Sequence, residues 1–500
     1  MTAVHGQVTV TDSQGNDSVA MFEFAIDEPA SEESHGGVHE VSGFQAEGFT
    51  VPAGEVWEVK GLVETPKNVV VDGTLRLRPG ATLRFVNVNE SAFVGGGMDP
   101  MASDVGLWVV GDGALDAQGT PRAAWNRTGG DPSWLPGDEL LLAPSTSGDF
   151  GAGGFARYSG GSVPRAHVSV PATEVLNLSR DVAIEGTSGG RSHIFIRSMK
   201  PQTIRHVLVR HMGPRKGGEK VTGRWPLHFH HMHDGSMGTV VEGVVVRETG
   251  SHAFVAHLSH GITFRDCIAY DVQEHAYWWD PDTADTKSGE APVNFTDHTT
   301  YDRCVAALVR PGDDPSGHRL TGFNLSSGIV ENSNRCIGCV AVGVQGGANP
   351  AGFTWQEKEQ GAAWVFEDNV AHNNRAHGIF TWQNLGPERV HNIDRFVAYR
   401  NGVAGLSVGA YVGNWRVRDA LLVENGDAGI LEQARSFATT LPIVYERPTI
   451  VGSPVAFKEG DINFPDHPPV IVCGAKVENC GALVDESKHP STTFEFRDTC

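Results

Sequence analysis

The segment GRWPLHFHHMHD contains two histidines, His228 and His230, that lie two residues apart. Residues two apart on a β-strand project from the same face, so their imidazoles would lie side by side. His257 follows His230 by 27 residues and Asp280 follows His257 by 23. Imidazoles with one carboxylate can hold one divalent ion such as zinc, nickel, iron or manganese. The same groups can also work as acid and base without a metal, because histidine titrates near neutrality.

Residues around this set favour a carbohydrate ligand. Arg224 offers a guanidinium that can bind a sugar carboxylate. Trp278 and Trp279 are neighbouring indoles that can stack on a sugar ring. His252 and His275 occupy equivalent turn-edge positions, where hydrogen bonds that hold turns explain them as well as function does. A chain with 22 histidines also brings some of them together without any function.

The elements that must position these residues are visible as a repeat. Three segments share an apolar residue, an asparagine eight positions later and a glycine four positions after that; they begin at Phe366, Ile393 and Val417. Segments from Val241 and Phe264 fit the same frame with alanine in place of glycine. A period in the twenties without helical periodicity is typical of a β-solenoid. Successive strands would then stack roughly 4.8 Å apart. The sequence therefore predicts an all-β chain that folds as a right-handed parallel β-helix.

The same repeat frame predicts which side chains face the core and which face the solvent. The residue after each glycine or alanine is apolar, and Leu227 fits the same column one coil earlier. This column should therefore face the core: Leu227, Phe254, Tyr277, Ile379, Leu406 and Ile430. Side chains alternate along a strand, so the position three residues further on faces outward. That outward column contains His230, His257, Asp280 and Trp382. We therefore expect a solvent-facing site.

Composition limits the partners. With 39 basic and 60 acidic residues, the net charge is −21, which argues against nucleic acid and anionic membranes. No run of eighteen apolar residues exists, so no membrane span is expected. The start, MTAVHGQVTV, lacks the charged and apolar regions of a signal peptide. Sequence does not predict the oligomeric state.

Five regions follow along the chain. Residues 1–30 read as two alternating strands, like the last hairpin of an immunoglobulin-like module, and 31–44 as a polar linker. Residues 45–190 are expected to form a β domain that caps the solenoid, because solenoids need their open ends covered. The β-helix is expected over 191–470, and a C-terminal cap or tail over 471–500.

Seven cysteines are too few for a disulfide scaffold at this length. Cys336 and Cys339 form a single CxxC without a second pair, which is weak support for zinc or redox chemistry. We favour a buried ladder, with Cys267 and Cys304 at matching places in neighbouring coils.

The ordered motifs of residues 50–390 resemble the cell-migration-inducing hyaluronidase and cell-surface hyaluronidase family. The matching stretches are EVLNLSRDVAIEG (174–186), VRHMG (209–213), GRWPLHFH (223–230), FVAHLSHGITFRDCIAYDVQEHAYWWD (254–280), YDRCVAALV (301–309), and NPAGF followed by FEDNVAHNNRAHG. The resemblance implies an eight-glycine β domain over 45–190 beside a parallel β-helix. It also carries family site positions onto His228, His230, His257, His275 and Asp280.

The resemblance implies an endo-acting glycoside hydrolase that degrades hyaluronan or a related glycan, secreted or at the cell surface. Asp280, His257, His275 and Arg224 are the expected catalytic residues. His228, His230, His257 and Asp280 are the expected metal set, and Trp278, Trp279 and Arg224 the expected substrate contacts. Two alternatives stay open: a uronate polysaccharide lyase on the same scaffold, and a non-catalytic glycan-binding or adhesin β-helix.

Overall fold

Short parallel strands stack into three ladders that together form a right-handed parallel β-helix. In this computed structural model the described residues are 2–11, 17–26, 37–151, 153–161, 173–279, 295–311, 320–325, 327–347, 349–355, 362–381, 390–408, 414–432, 442–460, 470–485 and 494–500. The chain divides into two units, 1–39 and 40–500. In the first unit, Thr2–Thr11 pairs antiparallel with Asp17–Ile26, so the two N-terminal strands expected from the sequence are present. Their assignment to an immunoglobulin-like module stays a prediction.

Most coils of the second unit contribute one strand to each ladder, and Val56–Thr65 pairs in both the first and the second ladder. The first ladder contains His39–Phe44, Val56–Thr65, Thr74–Leu77, Ala114–Gln118, Thr203–Arg205, Val240–Glu242, Thr263–Arg265, Thr300–Asp302, Arg335–Ile337, Val365–Glu367, Val390–Asp394, Asn414–Arg418, Ile443–Glu446, Val470–Cys473 and Phe494–Arg497. The second contains Thr82–Phe85, Val182–Glu185, Val207–Arg210, Val245–Arg247, Ile268–Gln273, Val305–Arg310, Val340–Val344, Val370–His372, Val397–Tyr399, Leu421–Val423, Thr449–Val451 and Lys476–Glu478. The third contains Phe49–Val51, Val69–Val71, Leu107–Gly111, Ile194–Ser198, Leu227–His233, Phe254–Ser259, Tyr277–Trp278, Thr321–Asn324, Ala351–Trp355, His377–Thr381, Ala404–Val408, Ala428–Glu432, Val455–Glu459 and Ala482–Asp485.

Smaller elements decorate these ladders. The described helices are two single turns of 3-10 helix, Glu90–Ala92 and Asp234–Ser236. A short hairpin pairs Arg215–Lys216 with Glu219–Lys220. A separate antiparallel sheet contains Trp125–Asn126, Glu139–Leu142, Gly154–Arg157 and Val175–Asn177. In the part of the chain that the structure describes, no helix is long and apolar enough to cross a membrane.

The predicted core column is confirmed. All six of its side chains are buried, and each pairs in register with the next described strand of the third ladder. Phe323 and Phe353 fill the two coils between Tyr277 and Ile379 that the sequence frame skipped. The aromatic rings stack at 4.4–4.9 Å from Phe254 to Phe353, which fills the interior of the solenoid.

The asparagines of the repeat form a buried hydrogen-bonded ladder. The amide of Asn374 donates to the side-chain oxygen of Asn401 at 2.9 Å, and Asn401 donates to Asn425 at 3.0 Å. Each side chain meets a polar neighbour one coil away, which satisfies groups that burial would otherwise leave unpaired. The Asn spacing in the sequence is therefore a structural signal.

The ladders run across both predicted borders of the β-helix. Ile194–Ser198 pairs with Leu107–Gly111, which in turn pairs with Val69–Val71, so strands before residue 190 build coils of the solenoid itself. At the other end, Phe494–Arg497 pairs with Val470–Cys473 as a further coil. Strands of alternating apolar and polar residues between glycine turns occur both in separate β domains and in solenoid coils. The sequence pattern therefore does not distinguish the two. The eight-glycine assignment and the capping role of 45–190 stay predictions.

The predicted cysteine ladder is present. Cys267, Cys304 and Cys339 immediately precede three residues that pair with one another, and all three thiols are buried and free. The Sγ of Cys267 lies 3.3 Å from the carbonyl oxygen of Val241, a weak hydrogen bond within the core. A disulfide joins Cys473 to Cys500 in the last coil.

The small antiparallel sheet packs on the outer face of the second ladder. The indole of Trp125 donates to the carbonyl oxygen of Arg303 at 2.7 Å. His372 Nε2 lies 2.9 Å from a carboxylate oxygen of Glu174, and both side chains are fully buried. Arg127 also pairs with Glu174, at 2.8 Å. A buried hydrogen bond between His372 and Glu174 therefore links the small sheet to the solenoid.

Candidate functional site

The candidate site lies on the third ladder, where two successive strands carry histidines. Side chains alternate along Leu227–His233, so His228 and His230 project from its outer face. His230 pairs in register with His257 on the next strand. One ligating nitrogen from each of the three imidazoles lies within 4.8 Å of the others. The structure therefore brings together three of the four residues predicted to hold a metal.

The three imidazoles are covered, although the sequence predicted a solvent-facing site. His228, His230 and His257 are 0%, 9% and 7% exposed. One coil earlier, Phe195 packs against His230 with 4.8 Å between ring centroids. His231 stacks on the other side of His230 at 4.2 Å. The expectation of a solvent-facing column is wrong because aromatic neighbours from other positions cover the outer face of these strands.

Burial and mutual proximity favour the neutral imidazoles. Burial, and then the charges of His230 and His257, holds the pKa of His228 well below its usual value. Burial, followed by the charge of His257, lowers the pKa of His230 to about 2. His228 Nδ1 lies 2.9 Å from the carbonyl oxygen of Gly223, which can only accept, so Nδ1 carries the proton. The Nε2 atom of His228 then presents a lone pair to the cluster.

One pair of these nitrogens has the spacing that a shared divalent ion requires. His228 Nε2 lies 3.3 Å from His230 Nδ1. Two nitrogens bound to one tetrahedral zinc at about 2.05 Å would be separated by about 3.3 Å. The bond from His228 Nδ1 to a backbone carbonyl is the outer contact that orients a metal-binding histidine. The same 3.3 Å also fits a hydrogen bond from His230 Nδ1–H to Nε2, so the cluster suits a metal or a proton-transfer pair.

The fourth predicted member, Asp280, lies outside the described residues, as does Trp382 of the same predicted column. The ladder is in register up to Trp278, which pairs with Val255. Asp280 follows two residues later. Its place in the metal set therefore stays a prediction.

Arg224 is a buried support and not a surface clamp. Its side chain is 0% exposed, and Nε donates to Asp104 Oδ2 at 2.7 Å. The guanidinium lies over the Trp108 ring at 4.6 Å and the Phe195 ring at 5.3 Å. Nη2 donates to the Gly97 carbonyl oxygen at 2.8 Å. The expected roles in catalysis and substrate binding are corrected, because the charge is enclosed by these partners.

His275 belongs to a neighbouring stack. Its buried ring lies 5.1 Å from that of His252, nearly parallel, and its backbone N–H donates to His252 Nδ1 at 3.1 Å. Trp225 lies 5.0 Å from His252 and 6.2 Å from His228. Turn-holding contacts thus account for His275, and it is absent from the group of three imidazoles that could share one ion.

The two neighbouring indoles have different surroundings. Trp278 is half-buried, and its ring lies 3.9 Å from His252 and 6.1 Å from Trp225. Trp279 is buried and stacks on Phe295 at 6.4 Å. Only Trp278 keeps part of a ring face for a sugar. The expected substrate contact of Trp279 is corrected, because that side chain serves packing.

His231 is a neighbour of the site that strict alternation missed. Residue 231 should point toward the core, but its φ of +48° lies in the left-handed region. The strand register shifts between His230 and His233, and the turn recurs one coil later at Leu258, where φ is +44°. The ring of His231 thereby reaches within 4.6 Å of His257. The HHMH run was the only signal, and it does not reveal a bulge.

Comparison with known proteins bears on this stretch of chain. Residues 187–286 match the family model CEMIP beta-helix. This span contains all three clustered histidines, and it confirms the family resemblance there. Among curated proteins, none matches the sequence.

Several solved structures are similar to this chain at low sequence identity. The catalytic domain of a GH87 α-1,3-glucanase, in complex with nigerose, has 12% identity and a TM-score of 0.40, covering 85% of this chain and 64% of that domain. The A-module of Azotobacter vinelandii mannuronan C-5 epimerase AlgE4 has 11% identity and a TM-score of 0.30, with coverages of 92% and 89%. The Yersinia enterocolitica family 28 exopolygalacturonase has 11% identity and a TM-score of 0.27, with coverages of 100% and 83%. The chain thus spans less than two thirds of the glucanase domain, and no residue role is transferred from these structures.

Proposed function

We propose that this chain is a polysaccharide-degrading enzyme, an endo-acting glycoside hydrolase on hyaluronan or a related glycan. The observation that supports this most is the convergence of His228, His230 and His257 on adjacent coils. Burial of three polar rings at one point is unfavourable unless they share a partner or a task. The family match at 187–286 covers the same stretch.

The proposed chemistry uses neutral imidazoles. If a divalent ion is present, His228 Nε2, His230 and His257 hold it, and Asp280 is the proposed fourth ligand. Such an ion supplies Lewis acidity and a water of lowered pKa. Without an ion, His228 Nε2 accepts a proton within the cluster and Asp280 is the proposed partner acid or base. In both cases Trp278 is the proposed stacking face for a sugar ring.

Polymer size is the first measurement. Purified protein is incubated with hyaluronan and with a panel of other acidic and neutral polysaccharides, and chain length is followed by size-exclusion chromatography. We expect a rapid fall in polymer length with few short products, as endo-cleavage requires. A product with the ultraviolet absorbance of an unsaturated uronate would identify a lyase. Retention of a polymer at constant length would identify a binding module and contradict the hydrolase.

Matched histidine variants locate the activity. His257→Ala should abolish cleavage, whereas His377→Ala, also buried and four strands further along the third ladder, should retain it. Elemental analysis of both variants and the native protein separates the two chemistries. Loss of one equivalent of metal in His257→Ala alone supports the metal site. Full cleavage by His257→Ala would contradict the site assignment.

We also propose a location outside the cytosol. The Cys473–Cys500 disulfide favours an oxidising compartment, because disulfides persist there and are rare in reducing ones. Detection of the protein in culture medium or on intact cells, with reducing and non-reducing peptide mapping of the two cysteines, tests this. A purely cytosolic pool with both thiols free would contradict it.

A further inference from the structure

Arg197 lies beside the imidazole cluster with its side chain outside the core. It is the one exposed residue of strand Ile194–Ser198, and its side chain is 43% exposed. Ile196 of this strand pairs in register with Phe229 of the following coil. The next position, Arg197, therefore lies beside His230, one coil before it.

The contacts of Arg197 leave its guanidinium free to change partner. Its recorded ion pair is with Asp99, which is 93% exposed, at 3.7 Å. Exposed pairs of this kind contribute little, so a ligand anion can replace the carboxylate at small cost. Arg224, in contrast, is enclosed by Asp104 at 2.7 Å and two aromatic rings. Of these two arginines near the cluster, Arg197 is the one that a ligand can reach.

The segment that carries Arg197 is richer in basic residues than the rest of the chain. Residues 187–233 contain nine lysines and arginines and one acidic residue, whereas the protein has a net charge of −21. This stretch includes the strand of Arg197 and the strand of His228 and His230. Most of these side chains pair with carboxylates of other segments, as Arg191 does with Glu90 and Arg210 with Glu185. The carboxylate partner of Arg197 is 93% exposed, so a ligand anion competes for this guanidinium more readily.

We propose that Arg197 is a specificity-determining residue that binds an anionic group of the polysaccharide, a carboxylate or a sulfate ester, on the coil preceding the imidazole cluster. The proposal rests on the proposed function and adds the residue that selects an acidic glycan. Guanidinium binds both anions through paired N–H donors, so the structure defines their shared chemistry. Arg197 therefore orients a charged sugar unit next to the one that meets the imidazoles.

The test compares two matched arginines. Arg205 lies in the same stretch but on the first ladder, is 44% exposed, and pairs with Glu242 at 3.7 Å. Initial cleavage rates are measured for the native protein, Arg197→Gln and Arg205→Gln on hyaluronan, which carries carboxylates only, and on a sulfated polymer whose carboxylates have been reduced. Fluorescence anisotropy of labelled polymer gives the dissociation constant independently of turnover.

For Arg197→Gln we expect KM and Kd to rise by about 10- to 100-fold, the loss of one charge-assisted contact, with kcat changed far less. Arg205→Gln should stay within twofold of the native protein. Reducing the carboxylates of hyaluronan should weaken its binding to the native protein by the same factor. Its binding to Arg197→Gln should not change. Activity retained on the sulfated polymer identifies sulfate as a second acceptable anion.

Two failures can be told apart. If the native protein cleaves a polymer but Arg197→Gln keeps its KM within twofold, the role of Arg197 is overturned while the proposed function stands. The same holds if neutral, carboxyl-reduced hyaluronan is cleaved as well as hyaluronan. If the native protein neither cleaves nor binds any polymer of the panel, the proposed function and this inference fall together.

Discussion

Replacing Arg224 by alanine tests whether this side chain stabilises the fold or binds the substrate. Removing one partner of a buried ion pair typically costs about 3–5 kcal/mol, because the other charge stays buried. Asp104 would keep three donors after the change: the backbone N–H of Val94 at 2.7 Å, that of Gly95 at 2.9 Å, and the Ser103 hydroxyl at 2.8 Å. These donors place the loss near the lower limit. We expect the free energy of unfolding to fall by about 3 kcal/mol.

Chemical denaturation followed by tryptophan fluorescence measures this change, because Trp108 lies against the guanidinium. The control is Arg205→Ala, whose exposed side chain should contribute within about 0.5 kcal/mol. A second variant, Asp104→Asn combined with Arg224→Met, removes both charges and keeps a side-chain oxygen that accepts from the Val94 N–H. It should regain part of the lost stability, since no charge then stays unpaired.

Kinetic measurements test the alternative, in which Arg224 binds the polysaccharide. If Arg224 touched the polysaccharide, Arg224→Ala would raise KM by tenfold or more on a protein of unchanged stability. That result would refute the assignment of Arg224 as a support for the site. A loss of stability with KM unchanged in the folded fraction would agree with the enclosed position of the guanidinium.

Three further predictions follow from the same contacts. His230→Ala should abolish cleavage, and remove any metal that the cluster holds, while near-ultraviolet circular dichroism stays native; a variant that cleaves at the native rate would contradict the site. Burial raises the pKa of Glu174, but the charge of His372 and its hydrogen bond outweigh this and lower it to about 2. The stability that Glu174 contributes is therefore present above about pH 4.5 and lost as the pH falls toward 2; acid unfolding of Glu174→Gln should lack this dependence. Phe254→Ala should lower the free energy of unfolding by about 3–5 kcal/mol through a cavity, against less than about 0.5 kcal/mol for exposed Leu483→Ala, both measured in denaturant.

The sequence alone determined the coil and the faces of its strands. Backbone alternation decides which side chains point inward, and a repeat in the twenties places equivalent residues one above another. For that reason the column from Leu227 to Ile430 was predictable, as was the pairing of His230 with His257. The two coils with Phe323 and Phe353 were missed because longer connections interrupt the period there.

What covers the outer face was decided only by the tertiary structure. Asp104 meets Arg224 from 120 positions earlier in the chain, so no local pattern could show that this arginine is enclosed. Phe195 reaches His230 from the preceding coil, and a left-handed residue turns His231 onto the same face. Periodicity predicts the direction of a side chain, because that depends on the backbone of its own strand. Its solvent exposure and its partners depend on segments that come together only when the coils stack.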